Sequence, residues 1–436
     1  MMDKSPFAHL KLDTFLLMIL ITPHMWFNPV SNVLLVMAIA TYVLLDVIFS
    51  ETESGPNSCR QRALFLVRLT IVFFVIMAAT LLPTGLNILQ RRANGPETYA
   101  HDGLIQTEIA IEYLLAGQNP YTEDYTNTPM AAFPGREPPL TEAPLYHNAY
   151  LPFLFFSGMP LYWLSQLVLG WYDQRFLYLL ALFGLMLLLP ALVEKPRHRL
   201  ALLLAVGLNF LFTFYLADGR NDIMILFWLA VTAVCLSKNR ISLSALALGL
   251  AMATKHQAWF FLPFYLLYLL PKPVRPADIK RLIKQIWPLV AVLILIIGLF
   301  LIWDLPAFID DTVTYISGSG PDSFPIKGWG FSSLLLTLGL IPHPEAAFPF
   351  ALFELLFGLP VLYLMLRRQW QDNTLMMSWL GYAFFGFTFQ FFSRFFSDNY
   401  FVFLLQIVVI ALFMRPIRYQ PEQPSLEPLS QGPATP

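Results

Sequence analysis

The stretch that decides the fold is Asp218–Arg275, which reads DGRND-IMILFWLAVTAVCL-SKNR-ISLSALALGLAMAT-KHQAWFFLPFYLLYLLPKPVR. Short polar clusters interrupt its apolar runs, and their basic residues are Arg220, Lys238, Lys255 and Lys272. The intervals between these residues are 18, 17 and 17 positions. At 1.5 Å per helical residue, each interval covers about 26 Å, close to the thickness of a bilayer core. Successive clusters are therefore predicted to lie on opposite sides of a membrane.

The composition of the whole chain agrees with this interpretation. Of its 436 residues, 57% are hydrophobic and only 13% are charged, whereas soluble proteins contain about 25% charged residues. This excludes a soluble enzyme, a disordered chain and a nucleic-acid binder. The net charge of −1 implies no bulk electrostatic partner. The two cysteines, Cys59 and Cys235, form no disulfide framework. We predict an all-α, polytopic membrane protein in contact with membrane lipids.

Apolar stretches recur along the chain and predict roughly 11–13 membrane helices, several of them shorter than the ideal of about 20 residues. The stretches are Phe7–Phe27, Val30–Phe49, Ala63–Pro83, Ala149–Gly170, Arg175–Val193, Arg199–Ala217, Ile223–Leu236, Ile241–Thr254, Ala258–Leu270, Ile286–Trp303, Phe348–Leu366, Leu375–Phe392 and Asn399–Met414.

The distribution of Lys and Arg indicates the orientation, because cytoplasmic loops of membrane proteins are enriched in both. With a cytoplasmic N-terminus, 16 of the 27 Lys and Arg residues lie on the cytoplasmic side and 10 lie outside. The remaining one, Arg68, is predicted to form a structural ion pair with Asp46. The polar insert Thr84–Asn148, with eight acids and three Lys or Arg, is then extracytoplasmic. We expect a multi-pass protein of the cell membrane with its functional site on this side.

The topology between the insert and Asp218 has a parity problem. Three apolar stretches lie between two extracytoplasmic segments, and three full crossings cannot connect them. We predict that Arg199–Ala217 is re-entrant, which places Arg175 in the cytoplasm and Lys195–Arg199 outside.

Several polar residues are predicted to meet on the side that carries the insert. The spacing brings Arg220 and Asp222 to the same side as Lys255 and His256, and the same count returns Arg394 and Asp304–Glu345 to it. Charges near membrane segments usually face protein or a water-filled cavity. Cations facing an acidic loop predict an anionic, partly lipidic ligand.

Each of these residues also has a structural interpretation. Lys255 could extend to the interface, Arg220 could pair with Asp218 or Asp222, and Arg394 could extend to the interface or pair with Asp398. The histidines His101 and His256 are often structural hydrogen-bonding groups.

The insert contains a predicted amphipathic helix that starts at Asp102 and is stopped by Gly117–Tyr121, with the sequence GQNPY. The acidic insert could supply a base, and Asp102 at the helix start could be a helix N-cap. A Pro-rich segment follows and enters the membrane at Tyr150–Pro152.

These motifs resemble those of the GT-C superfamily of membrane glycosyltransferases, and most closely the polyprenol-phosphate-mannose-dependent mannosyltransferases. The resemblance rests on the acidic helix start, the G-x-N-P-Y stop, the Y-x-P entry, G-R-N-D at Gly219–Asp222, and Lys255-His256-Gln257-Ala258 with a later Pro263. It covers roughly residues 63–270. The two helices before Ala63 depart from the usual arrangement, in which the catalytic loop follows the first span.

The resemblance implies an inverting transfer of a hexose such as mannose. The donor would be a polyprenyl-phosphate sugar, and the acceptor a lipid, glycan or protein of the cell envelope. It implies Asp102 as the catalytic base. The donor phosphate would be bound by Arg220, Lys255, His256 and Arg394. Further substrate contacts would come from His101, Asn119, Tyr121 and Asp222. No D-x-D pair occurs in the insert, so no cofactor or metal is predicted, although a divalent metal remains compatible with the chemistry.

Two other functions fit a polytopic helical protein. A secondary transporter usually has two related halves and a midplane site, and we find no internal repeat. A lipid-linked oligosaccharide ligase or polymerase would also use cations on the outer face. The predicted organisation is two membrane helices and a cytoplasmic loop (1–62), a catalytic membrane module (63–303) with the loop 84–148, C-terminal membrane helices (304–416) with the loop 304–345, and a disordered cytoplasmic tail (417–436).

Overall fold

The computed structural model describes residues 11–26, 29–49, 59–134, 142–320 and 322–420. The fold is mostly helical, at 74%, with almost no strand. The helices are α1 (Leu12–Leu20), α2 (Pro29–Ile48), α3 (Cys59–Asn94), α4 (Asp102–Leu115), α5 (Phe153–Phe156), α6 (Met159–Leu169), α7 (Arg175–Leu188), α8 (Pro196–Gly207), α9 (Phe210–Asp218), α10 (Asp222–Ser237), α11 (Ile241–Thr254), α12 (Leu262–Tyr268), α13 (Pro276–Trp303), α14 (Leu305–Ile309), α15 (Tyr315–Ser317), α16 (Phe331–Thr337), α17 (Phe350–Gln371), α18 (Leu375–Phe392) and α19 (Asp398–Phe413).

Short irregular elements complete the described chain. Turns of 3-10 helix cover Thr22–Trp26, Pro129–Ala132, Ala143–Leu145, Leu189–Leu192 and His256–Phe261, and a π-helical turn covers Asp310–Thr314. Two short strands, β1 (Lys327–Gly328) and β2 (Phe395–Phe396), pair in parallel with Lys327 opposite Phe395.

The helical part contains the long apolar segments that a polytopic membrane protein requires. Within the described ranges, five helical segments are long and apolar enough to cross a membrane, or six if the bent pair α8–α9 is one span. The five are Cys59–Asn94, Arg175–Leu192, Pro276–Trp303, Phe350–Gln371 and Leu375–Phe392. Only 11% of the most apolar window of α13 and of α17 is buried against protein, which suits a lipid-facing surface. The total of 11–13 helices also requires the shorter apolar helices to cross and stays a prediction.

Two networks of ion pairs mark the two ends of the helix bundle. At one end, Arg68 of α3 binds Asp46 at 3.0 Å, which confirms the predicted pair. At the other end, Arg91 of the same helix binds Glu108 of α4 at 2.6 Å and Asp173 at 2.9 Å. Arg68 and Arg91 are 23 residues apart, or about 34 Å along a straight helix. We call the end that contains Arg68 the opposite end, and the end that contains Arg91 the insert end.

The first network corrects the predicted position of Arg197. Its guanidinium binds Asp13 at 2.8 Å and Asp46 at 2.6 Å, so α8 begins at the opposite end. The next helix, α9, finishes at the insert end, where the Asp218 carbonyl accepts a hydrogen bond from His101 N at 2.7 Å. The prediction that 199–217 is re-entrant is therefore wrong: α8 and α9 together run from one end to the other, with a 49° bend.

The second network shows which stretch does not cross. Arg175 is fully buried at the insert end, where it binds Asp173 at 2.7 Å and the carbonyl of Tyr99 at 2.8 Å. Its predicted position on the side opposite the insert is wrong, because residues 149–170 begin and end at the insert end, where Tyr150 contacts Tyr121 and Gln174 contacts Glu108. Helix α6, which forms half of this stretch, keeps an exposed apolar face that includes Trp163 and Leu167. An apolar helix that stays at one end resolves the parity problem.

The break between α8 and α9 is held by neighbouring polar groups. Asn209 caps α9 by accepting a hydrogen bond from Phe212 N at 3.1 Å. His24, in the turn after α1, contacts the Leu208 carbonyl oxygen through Nε2 at 3.2 Å. Broken helices inside a membrane protein need such partners because their backbone groups find no water there.

Two predicted boundaries move. Helix α3 continues through Pro83 to Asn94, so the insert starts as helix rather than as loop at Thr84. The predicted tail begins later than 417, since the Ile417 carbonyl accepts a hydrogen bond from Leu375 N and Tyr419 OH bonds to Gln285. Lys4 and residues 421–436, which carry the predictions of a cytoplasmic N-terminus and a disordered tail, lie outside the described residues.

Candidate functional site

The turn between α9 and α10 contains the G-R-N-D element. Gly219 ends α9 with φ of +95°, a conformation that favours glycine, and an added Cβ would lie 2.3 Å from Leu104 of the insert. Arg220 follows, and Asp222 is the first residue of α10. This tight turn aims Arg220 and Asp222 at different partners.

Lys255 is the partner of Asp222. It lies in extended backbone directly after α11, and its Nζ donates to Asp222 Oδ1 at 2.8 Å and to Asn221 Oδ1 at 2.9 Å. The ammonium also lies 4.6 Å from the centre of the Tyr400 ring. Lys255 is only 8% exposed, so it is a buried, paired cation and does not extend to the interface.

Arg220 belongs to a second ion pair beside the first. Its Nη1 donates to Asp398 Oδ1 at 2.7 Å and to Asn399 Oδ1 at 3.0 Å, and its Nε donates to Asp218 at 3.2 Å. The guanidinium lies 4.5 Å from the centre of the Tyr215 ring. Asn399 also donates to Asp222, which joins the two pairs into one network.

Asp102 is the first residue of α4, and the N-cap is His101. The His101 ring accepts a hydrogen bond from Gly103 N at 3.1 Å, so the N-cap interpretation of Asp102 is not correct. The Asp102 carboxylate accepts from the same N–H at 2.7 Å and lies 3.0 Å from His101 Nδ1. It remains about 30% exposed, at the positive end of the helix dipole.

One cavity of about 1290 Å³ brings many of these residues together. Six of the predicted site residues lie on its wall, namely His101, Asp102, Arg220, Lys255, His256 and Arg394. Three chain regions far apart in sequence therefore meet at the insert end, as the spacing of the polar clusters predicted. Aromatic rings form much of the remaining wall, among them Phe133, Trp259, Phe260, Trp329, Phe348 and Phe389.

Three predicted substrate-binding residues do not line this cavity in the described structure. Tyr121 is 4% exposed, donates to the Tyr150 carbonyl at 2.7 Å and packs on Phe155, Phe300 and Phe308. Asn119 is equally buried and accepts from Tyr121 N at 3.2 Å. Both residues hold the insert in place. The family resemblance implied substrate contacts for them, whereas the structure shows contacts within the protein. Asp222 is 4% exposed and positions Lys255.

Arg394 lines the cavity but uses its donors elsewhere. Its guanidinium donates to the carbonyls of Phe324, Ala346 (2.9 Å) and Pro344 (3.0 Å). These bonds fix the segment before α17, and the role of Arg394 in phosphate binding stays a prediction. Its alternative partner Asp398 binds Arg220 instead.

Lys327 is a cavity residue that we did not single out from the sequence. Strand β1 holds it beside β2, and its Nζ lies 5.1 Å from the Phe324 ring centre and 5.7 Å from that of Phe395. Among the described residues it has no carboxylate partner. The sequence FPIKGWGF at Phe324–Phe331 could have indicated this residue. It contains a single Lys between aromatic residues, in a segment predicted to lie on the same side as the site.

A further polar cluster is formed by His147, which lines the cavity, together with Asp310 and Asp311. His147 Nδ1 is 2.8 Å from Asp311 and 3.7 Å from Asp310. Burial lowers the pKa of His147, but the hydrogen bond and charge of Asp311 outweigh it, and the net pKa is raised. Burial raises the pKa of Asp311, against the opposing effects of His147 and the Asn148 N–H.

No protein-family model and no curated protein sequence matches the chain. The function must therefore be argued from the cavity. Its wall combines a carboxylate at the start of a helix, cations that are fixed by ion pairs, and a large aromatic surface. The cavity lies at one end of a helical membrane bundle. This combination suits a ligand with an anionic group and a long apolar part.

Proposed function

We propose that the protein is a membrane glycosyltransferase that moves a sugar, such as mannose, from a polyprenyl-phosphate donor to an acceptor hydroxyl. The observation that carries this proposal is the shared cavity. Asp102, Arg220 and Lys255 line it together with several aromatic rings. The donor has three matching parts: a phosphate for the cations, a sugar for the polar middle and a prenyl chain for the aromatic surface.

The proposed reaction is a single displacement with inversion. Asp102 accepts the proton of the acceptor hydroxyl, whose oxygen forms a bond to the anomeric carbon. The bond from that carbon to the phosphate oxygen breaks, and its electron pair stays on the polyprenyl phosphate. Because negative charge grows on the phosphate, fixed cations in a site of low dielectric stabilise the transition state.

The ion pairs give the cations fixed positions before the donor binds. Lys255 is held by Asp222, and Arg220 is held by Asp398 and Asp218. In the described chain, Arg220 Nη2 makes no protein hydrogen bond, so this donor is available to an incoming phosphate oxygen. The positive charges of Arg220 and Lys255 are already balanced by carboxylates. Lys327, which has no carboxylate partner among the described residues, supplies a positive charge that can balance the phosphate.

The prenyl chain would lie along α17. Phe350, Ala351 and Glu354 of this helix line the cavity. Other α17 side chains are exposed and apolar, including Leu352, Leu355 and Leu359. The same helix thus connects the cavity wall to a lipid-facing surface, which gives an apolar chain a route that avoids water.

Two alternatives have specific observations against them. A transporter usually binds its substrate near the bilayer midplane, whereas this cavity lies at the insert end, beside His101 and Asp398. A ligase or polymerase of lipid-linked oligosaccharides would bind a diphosphate. Only one Lys or Arg on the described cavity wall, Lys327, is without a carboxylate or carbonyl partner, which suits a single phosphate better.

The test is a transfer assay with purified full-length protein. Each member of a panel of polyprenyl-phosphate sugars is incubated with crude membrane acceptors, and released polyprenyl phosphate is measured. We expect release with one donor class and its loss in Asp102→Asn. Asp124→Asn is the matched control, because Asp124 is an exposed acid of the same insert whose carboxylate accepts hydrogen bonds from the nearby Thr126. No release with any donor, or equal release by both variants, would refute the proposal.

A further inference from the structure

The cluster of His147, Asp310 and Asp311 joins two distant parts of the chain. His147 ends the insert, and the two acids belong to the π-helical turn after α14. A π-turn widens the helix and often occurs at functional sites. The ligand atoms of the three residues all lie within 4.8 Å of one another.

The charge of the cluster is not balanced by a permanent cation. Asp311 is 3% exposed, and neither Asp310 nor Asp311 forms an ion pair with Lys or Arg in the part of the chain that the structure describes. A third acid, Asp322, also acts on His147 through its charge. Buried carboxylates are normally paired or bound to a metal ion. One imidazole, even when protonated, offers a single positive charge to these acids.

The geometry also suits a small divalent ion. In a tetrahedral zinc site with bonds of about 2.0 Å, neighbouring ligand atoms are about 3.3 Å apart. The distances from His147 Nδ1 to Asp311 (2.8 Å) and to Asp310 (3.7 Å) lie on either side of this value. The half-exposed Asp310 carboxylate leaves the site accessible from outside.

Neighbouring groups orient the ligands. The His147 ring stacks on Tyr315 with centres 4.4 Å apart and an angle of 15° between their planes. The second oxygen of Asp311 accepts from Asn148 N at 2.7 Å. Contacts of this kind, behind the ligands themselves, are typical of metal sites because they fix the ligand orientation.

We propose that His147, Asp310 and Asp311 form a zinc site that fastens the end of the insert to the segment after α13. His147 would bind through Nδ1, and each Asp through one oxygen. A nitrogen ligand with two carboxylates favours Zn²⁺ over Mg²⁺, which prefers oxygen ligands. The proposal does not depend on the transfer reaction, since it concerns binding of the ion alone.

The test measures zinc in the full-length protein. Protein purified in detergent is stripped with EDTA, dialysed against ZnCl₂ or MgCl₂, passed through a desalting column and analysed for metal by mass spectrometry. Thermal unfolding is recorded in parallel. We expect one Zn²⁺ per chain, no retained Mg²⁺, and a higher unfolding temperature with Zn²⁺.

Three variants separate this site from adventitious binding. His147→Gln and Asp310→Asn should each weaken Zn²⁺ binding by at least about tenfold and lose the thermal shift. Asp310 is half-exposed, so Asp310→Asn is expected to fold even if His147→Gln does not. His343→Gln is the control, because His343 forms an exposed pair with Glu345 and should keep full binding. No bound Zn²⁺, or undiminished binding by Asp310→Asn, would overturn the proposal.

Discussion

At the scale of single residues, two of the cations in the site are already paired with carboxylates. Lys255 faces Asp222, and Arg220 faces Asp398. A lone buried charge is costly, and a partner with good hydrogen-bond geometry reduces this cost. The sequence predicted the side on which these cations lie, because that follows from spacing. It did not predict the direction of their donors, which is why Arg394 was assigned to phosphate although it binds three carbonyls.

Replacement of Asp102 by Asn should abolish transfer and leave the fold intact. Loss of a general base typically lowers the rate by about 10²–10⁴-fold. The N-cap is His101, so the helix keeps its cap, and the Asn side chain keeps an oxygen that can accept from Gly103 N. Loss of a negative charge near the helix N-terminus costs about 0.3–1 kcal/mol. Turnover and thermal unfolding are measured on the same preparation. Near-normal turnover would exclude Asp102 as the base.

Replacement of Lys327 by Gln should weaken donor binding. A charge-assisted hydrogen bond contributes about 1.5–3 kcal/mol, so we expect KM for the lipid donor to rise about 10- to 100-fold with a smaller change in kcat. Lys327→Arg should retain much of the affinity. Lys238→Gln, at the far end of α10, is the control. An unchanged KM in Lys327→Gln would show that the phosphate binds elsewhere.

At the scale of elements, two ion networks hold the insert and the first helices to the bundle. The choice of 199–217 as the re-entrant stretch placed Arg175 and Arg197 at the wrong ends relative to the insert, and for Arg197 it did so against the positive-inside rule. In the structure both are bound by buried acids, Arg175 by Asp173 and Arg197 by Asp13 and Asp46. Pairing of this kind depends on distant residues, so a count along the sequence cannot find it.

Arg91 and Arg92 offer a matched comparison on one helix. Arg91 is buried between Glu108 and Asp173, and Arg91→Met leaves both acids without this partner. Breaking a buried pair costs about 3–5 kcal/mol. Arg92 is exposed over the Trp171 ring at 4.7 Å, so Arg92→Met should cost about 0.5–1 kcal/mol. Unfolding in detergent measures both. Equal losses would contradict the role of the network.

At the scale of the molecule, composition and spacing predicted a helical membrane protein with its polar clusters gathered at one end. The apolar stretches were found at nearly the right positions because their length is set by the bilayer. The stretches 149–170 and 199–217 are both largely apolar, and the sequence did not show which of them fails to cross. Only contacts at their ends distinguish α6, which stays at the insert end, from the bent pair α8–α9.

Labelling of single cysteines tests this topology. In a background with Cys59→Ser and Cys235→Ser, Asn94→Cys and Gln166→Cys should react with an impermeant reagent from the same side of the membrane. Lys195→Cys should react only from the other side. All three positions are exposed. If Gln166 and Lys195 were labelled from the same side, the crossing by α8 and α9 would be excluded.

The contact between His24 and the Leu208 carbonyl indicates that the first two helices belong to the smallest part of the chain that can fold. The motifs on which the proposed function draws begin only after residue 63, so the first two helices would look dispensable from the sequence. Their removal would take away the partner of a carbonyl freed by the helix break, and also both acids that bind Arg197. An unsatisfied backbone group in an apolar environment costs several kcal/mol. A shortened chain that begins at Cys59 should therefore misfold, and any minimal version of the protein must retain its N-terminal helices.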